Sequence, residues 1–71
     1  MKKITPQEAA KVINTSAQFV RVAMQQGKLP IGTAIKLPKS ERWQYNISPH
    51  LLKQYAGEDA VERIEKMRSA H

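Results

Sequence analysis

The chain has 71 residues, no cysteine, and 12 Lys or Arg against 6 Asp or Glu, for a net charge of +6. That length holds one small domain, with a core too small to enclose a buried catalytic cleft. The missing cysteines exclude disulfides and thiolate metal sites, and His50 and His71 are too few and too far apart for a zinc site by themselves.

No apolar run approaches the ~20 residues of a membrane helix. The opening "MKKITPQEAA" has two lysines with no apolar stretch behind them, so it does not read as a secretory signal, and the expected location is cytoplasmic. Charge is unevenly distributed. Residues 1–57 hold nine Lys or Arg and two Glu, a balance of +7, whereas residues 58–71 hold three Lys or Arg and four Asp or Glu, a balance of −1. The positive charge therefore belongs to an expected folded portion, 1–57, and 58–71 is a mixed-charge tail. A basic domain favours a polyanion through counterion release. The plain alternative is an ordinary soluble surface.

The first element is a short helix over about 6–13. Thr5 can cap it, Pro6 suits its first position, and Glu8, three residues after Thr5, completes a capping box. Ala9, Ala10, Val12 and Ile13 gather on one side of it. Asn14 can end it, because Asn tolerates the left-handed conformation. Ser16, with Thr15 as second choice, can cap the next helix. Two helices this close in sequence form a helix-turn-helix unit, and the small Ala9 and Ala10 let the second approach the first.

The second helix is expected from Ala17 to Gln26, stopped by Gly27. Its wheel puts Ala17, Phe19, Val20, Ala23 and Met24 on one arc, as core. Arg21, Gln25 and Gln18 take the opposite arc, with Val22 at its edge and Gln26 beyond. That face has no acid. A merely solvated face usually mixes Glu with Lys for i,i+4 pairs, and a strip of Gln and Arg gains little from such pairing.

Strand-like stretches at 31–37 and 42–47 flank the turn "PKSE" and read as a hairpin. In the second strand Trp43, Tyr45 and Ile47 alternate with Arg42, Gln44 and Asn46, so one face is apolar and Trp43 is read as core. In the first strand Ala34 interrupts the alternation of Thr33, Ile35 and Leu37. Lys36, Lys39 and Arg42 lie at or near the tip. "SPHLLKQYAG" is a third helix, capped by Ser48, started by Pro49 and ended by Gly57, with Leu51, Leu52 and Tyr55 as its inward stripe. His50 is expected to be exposed and inert. The tail reads as helical or partly disordered. Val61, Ile64 and Met67 make a thin stripe there, and Glu62–Lys66 is an i,i+4 pair.

The order helix, turn, helix, hairpin, helix describes an α+β, mainly helical chain. It is a compact winged helix-turn-helix with a two-stranded wing, a third helix and a further C-terminal helix as an option. The chemistry of the strip suits DNA. Arg can bond bidentately to guanine and Gln to adenine, and Val22 can touch a thymine methyl. Thr15 and Ser16 stand at the helix start, where a phosphate is favoured. Lys36, Lys39, Ser40 and Arg42 at the wing can reach a backbone or a minor groove. Lys28 is a further candidate for backbone contact. Lys2 and Lys3 are either phosphate contacts or a plain chain end. No nucleophile–base pair, paired carboxylates in the basic region or Gly-rich phosphate loop is present, so an enzyme is not expected, nor is a cofactor.

"ITPQEAAKVINTSAQFVRVAMQQGKLP" resembles the opening of small excisionase and MerR-like DNA-binding domains. The matching residues are Thr5, Glu8, Ala9 and Ala10, then Ser16, then Gly27, Lys28, Leu29 and Pro30. "RWQYNISPHLLKQY" is similar to the strand and helix that close such domains, and "FVRVAMQQGKLPIGTAIK" with "WQYNISP" resembles short phage and mobile-element proteins of Gram-positive bacteria. The resemblance covers about residues 4–57. It implies a recognition helix in the major groove and a wing over the adjacent minor groove. It also implies an architectural factor that bends DNA for an integrase, or a small repressor of a mobile element. By analogy, 58–71 is a candidate for contact with integrase, and further copies are expected side by side on DNA. Many members carry two arginines directly after the capping Ser; this chain has Ala17 and Gln18 there, which weakens the phosphate grip. It has no room for the long dimerisation helix and effector domain of MerR regulators, so no small-molecule effector is expected. A third reading is a protein-interaction module, in which Phe19, Val22 and the tail stripe bind another protein and DNA plays no part.

Overall fold

The computed structural model of the protein describes residues 3–70. Four helices and one two-stranded antiparallel sheet follow in the order α1 (Pro6–Val12), α2 (Ala17–Gln25), β1 (Gly32–Lys36), β2 (Trp43–Ile47), α3 (Pro49–Ala56) and α4 (Ala60–Ser69). Among the described residues no helix is long and apolar enough to cross a membrane.

The helix ends follow from local chemistry. Thr5 and Glu8 close a reciprocal capping box. The Glu8 N–H donates to Thr5 Oγ1 at 3.2 Å, and the Thr5 N–H donates to Glu8 Oε1 at 3.0 Å. Ser16 accepts from the Phe19 N–H at 3.1 Å, and Ser48 from the Leu51 N–H at 3.3 Å. α1 and α2 stop by one device. Asn14 (φ 61°) and Gly27 (φ 70°) turn left-handed, and the next residue donates back into the helix, Thr15 to Ala10 O at 2.8 Å and Lys28 to Ala23 O at 2.8 Å. Only three residues beyond the α1 cap Ile13 therefore lead to α2, which packs on α1 over the buried Ala9 and Ala10.

The hairpin pairs Gly32 with Ile47, Ala34 with Tyr45 and Lys36 with Trp43. Residues directly opposite share a face. Ala34 is therefore the inward residue of β1, and Thr33, Ile35 and Leu37 point outward. The expected reading of Ala34 as an interruption had the face reversed. Trp43 also departs from its expected core position. It is half-buried at the far end of the hairpin, beyond Tyr45 and Ala34, which do pack against the core. The Leu37 N–H donates to Arg42 O at 3.1 Å and closes the tip just outside both strands.

The core draws on all four helices and β2, with Ala34 of β1 packed against it. Ile4, Ala9, Ala10, Val12, Val20, Ala23, Met24, Leu29, Ile31, Ile47, Leu52, Ala60, Val61 and Ile64 are buried in one cluster. α4 supplies three of them and packs on α1 and α3. The segment after residue 57 is thus helical, and its apolar stripe is spent inside this molecule. On α3 the expected three-residue stripe reduces to Leu52; Leu51 and Tyr55 are exposed, because the residues that turn inward are Leu52 and Ala56, one turn apart. The Glu62–Lys66 pair is not formed; among the described residues the ion pairs are Lys36–Glu41 and Glu8–Arg68.

Candidate functional site

On α2 the residues inside are Val20, Ala23 and Met24, covered by α1 on one side and β1 on the other. Phe19 was expected with them. It is 53 % exposed, because it stands about 100° around the helix from Val20 and beyond the reach of either neighbour. Its exposure shifts the centre of the free face. Val22, 42 % exposed, has Gln18, Phe19, Gln25 and Gln26 as its neighbours three and four residues away, and all four are exposed. Gln18 and Gln25 flank it on one side, and Gln26 and Phe19 on the other. Arg21 is half-buried at the margin of this face, about 100° from Val22.

Ser16 is exposed at the start of α2, with its oxygen engaged as the helix cap. Thr15 is half-buried in a shallow cleft between α1 and α2, lined also by Gln7, Lys11 and Ala17. At the other end of the face, Gln25 Nε2 donates to Tyr45 Oη at 2.6 Å. This bond joins the free face of α2 to the inward side of β2, so the helix face and the hairpin form a continuous unit.

At the hairpin tip the candidates divide. Lys36 Nζ pairs with Glu41 at 3.3 Å, so part of its charge is already met within the hairpin. The Ser40 hydroxyl oxygen accepts from the Arg42 N–H at 3.1 Å and shapes the tip. Lys39 and Arg42 are exposed and, like Arg21 and Lys28, have no ion pair among the described residues. Lys3 is exposed, and its carbonyl accepts from Arg68 Nη2 at 3.0 Å; Lys2 lies outside the described residues.

The second acid of residues 1–57 is also neutralised. Arg68 grips Glu8 with Nε at 2.5 Å from Oε2 and Nη2 at 2.8 Å from Oε1. These hydrogen bonds, with those from Thr5 and the nearby positive charge, hold the Glu8 carboxyl down at about 2 from its ordinary 4.5, against the opposing effect of burial. Residues 3–57 therefore present several unpaired cations and no unpaired acid. The remaining acids, Glu58, Asp59, Glu62 and Glu65, all lie on α4 or the turn before it.

Sequence reasoning located the polar members of this face but missed Phe19, and it had no way to see that Gln25 is held by Tyr45. The arrangement offers amide donors and acceptors around an apolar centre, with cations at the margin and at the hairpin tip. Among the described residues no group of three or more His, Asp or Glu side chains could hold a metal ion. His50 is exposed and near Gln54, with 3.2 Å between His50 Nε2 and Gln54 Nε2. Compared with known proteins, the chain matches no family model, no curated protein and no solved structure.

Proposed function

We propose that the chain is a sequence-specific, double-stranded DNA-binding protein of winged helix-turn-helix type, with α2 as the recognition helix and the β1–β2 hairpin as the wing. The observation that carries this reading is the acid-free face of α2, joined through Gln25 and Tyr45 to a hairpin that bears Lys39 and Arg42. Both acids of residues 1–57 are taken up in ion pairs, which leaves that portion with a net attraction for polyanions.

In this reading Val22 and the glutamines face base edges in the major groove. Arg21, at the margin, meets a backbone phosphate rather than a base. Ser16 and the first N–H groups of α2 meet another, since a helix N-terminus favours an anion. Lys28 follows the backbone at the opposite end, and Lys39 and Arg42 reach over the adjacent groove. The resemblance to excisionases favours an architectural role beside an integrase. With its apolar stripe internal, α4 would offer an integrase only its outer face of Glu62, Arg63, Glu65 and Lys66. The protein-interaction reading loses the tail stripe for the same reason.

Fluorescence-anisotropy titration of a labelled duplex at two salt concentrations tests the proposal. Four phosphate contacts, from Arg21, Lys28, Lys39 and Arg42, give a log–log salt slope of about −4, or about a 10²-fold loss of affinity between 50 and 200 mM salt. Arg42→Ala should weaken all sequences alike and reduce the slope by about 1. Absence of binding, or binding indifferent to salt, would sink the proposal.

A further inference from the structure

We infer that the α2 face reads A·T base pairs, and that Phe19 and Val22 do so by seating on thymine 5-methyl groups. The inference rests on the DNA reading and deepens it.

Two exposed apolar side chains stand at the centre and edge of an otherwise polar face, Val22 at 42 % and Phe19 at 53 % exposure. Neither is needed for the core, which closes over Val20, Ala23 and Met24. A face that served only to stay hydrated gains nothing from them. In the major groove the one strongly apolar feature of a base pair is the thymine methyl. The same pair carries, beside that methyl, the N6 donor and N7 acceptor of adenine, which a glutamine amide matches with its own acceptor and donor. The α2 face holds both halves of this complement, with Phe19 and Val22 for the methyls and Gln18, Gln25 and Gln26 for the adenine edges.

Spacing agrees with the chemistry. Phe19 and Val22 are three residues apart, about 4.5 Å along the helix axis, and successive base pairs are separated by about 3.4 Å. The two side chains are thus close enough to serve methyls on neighbouring pairs. A guanine reader would need a cation at the centre of the face; here Arg21 is half-buried at the margin. The charge of the surroundings selects the occupant. With every acid of 3–57 in an ion pair and Lys28, Lys39 and Arg42 unpaired among the described residues, an apolar patch inside that field fits an anionic duplex better than a protein surface.

The test begins by selecting bound duplexes from a random-sequence pool with the full chain. Anisotropy titrations then compare an enriched duplex with the same duplex carrying deoxyuridine for every thymidine, which keeps the pairing and removes only the methyls. The expected results are A·T-rich enriched sites and about a fourfold loss of affinity per contacted methyl removed. Phe19→Ala and Val22→Ala should each lower affinity for the thymine duplex and shrink the thymine–uracil difference. Both side chains are exposed, so circular dichroism should show unchanged folding, and the uracil arm needs no variant. Equal affinity for the two duplexes, with salt-dependent binding intact, would overturn this inference and leave the proposed function standing. Failure to bind any duplex at low salt would overturn both.

Discussion

Glu8 shows how one side chain can serve two levels of structure. Its position three residues after Thr5 marks it as a capping residue, and it is one. Nothing local marks its second partner, Arg68, sixty residues away. The pairing has a pH signature. A carboxyl held at about 2 when folded and near 4.5 when unfolded stabilises the fold fully above about pH 4.5. That contribution is lost as the pH falls toward 2. Glu8→Gln keeps an acceptor for the cap but loses the charge. Thermal melts from pH 7 to pH 2.5 should show a lower midpoint for the variant at neutral pH and a gap that closes on acidification. A gap of constant size would mean that the charge on Glu8 contributes nothing. Phe19 was misread for a related reason. A helical wheel orders residues by angle, but the width of the buried arc depends on which elements cover the helix, and a wheel does not contain them.

Turn chemistry made the elements the most legible level. Thr5, Ser16 and Ser48 cap where they were expected to, and Asn14 and Gly27 stop α1 and α2. The inward and outward faces were less legible. Ala34 is too small to announce itself as the buried side of β1, and Leu51 and Tyr55 are apolar yet outward. Two glycines separate backbone conformation from space. A Cβ on Gly27 meets nothing within 4 Å, so Gly27→Ala suffers only the left-handed penalty, about 1 kcal/mol. A Cβ on Gly32 would overlap the Asn46 carbonyl oxygen, a backbone atom with nowhere to move inside the ladder. Gly32→Ala should therefore destabilise by clearly more than Gly27→Ala and disturb the β1–β2 pairing. Denaturant titrations order the two variants, and amide exchange at Ile35 and Gln44, which face each other as a hydrogen-bonded pair, reports the sheet. Equal destabilisation would show that the strands admit a Cβ at Gly32 at no greater cost than a left-handed alanine.

At the scale of the whole molecule, the charge boundary near residue 57 is not a boundary of the core. Composition changes sign there, which suggested an appendage, whereas packing continues through Ile64, which is fully buried. The signal for this was present in Val61 and Ile64. What was missing was their partner, because a thin stripe on one helix does not say which surface will receive it. Ile64→Ala should destabilise by about 2–5 kcal/mol, a large share of what a domain this small can have. Removing residues 58–71 should abolish cooperative thermal unfolding by circular dichroism; a truncated chain that still melts cooperatively would make α4 dispensable. The docking of α4 also bears on how the protein is made. Arg68 binds Glu8 and the carbonyl of Lys3, so the start of the fold is fastened by a residue translated 65 positions later. While α1, α2 and the hairpin leave the ribosome, Ile64 and its neighbours are still inside the exit tunnel, and the nascent chain shows an open core. The contacts of α4 with α1 join regions distant in sequence, the kind of contact that slows folding.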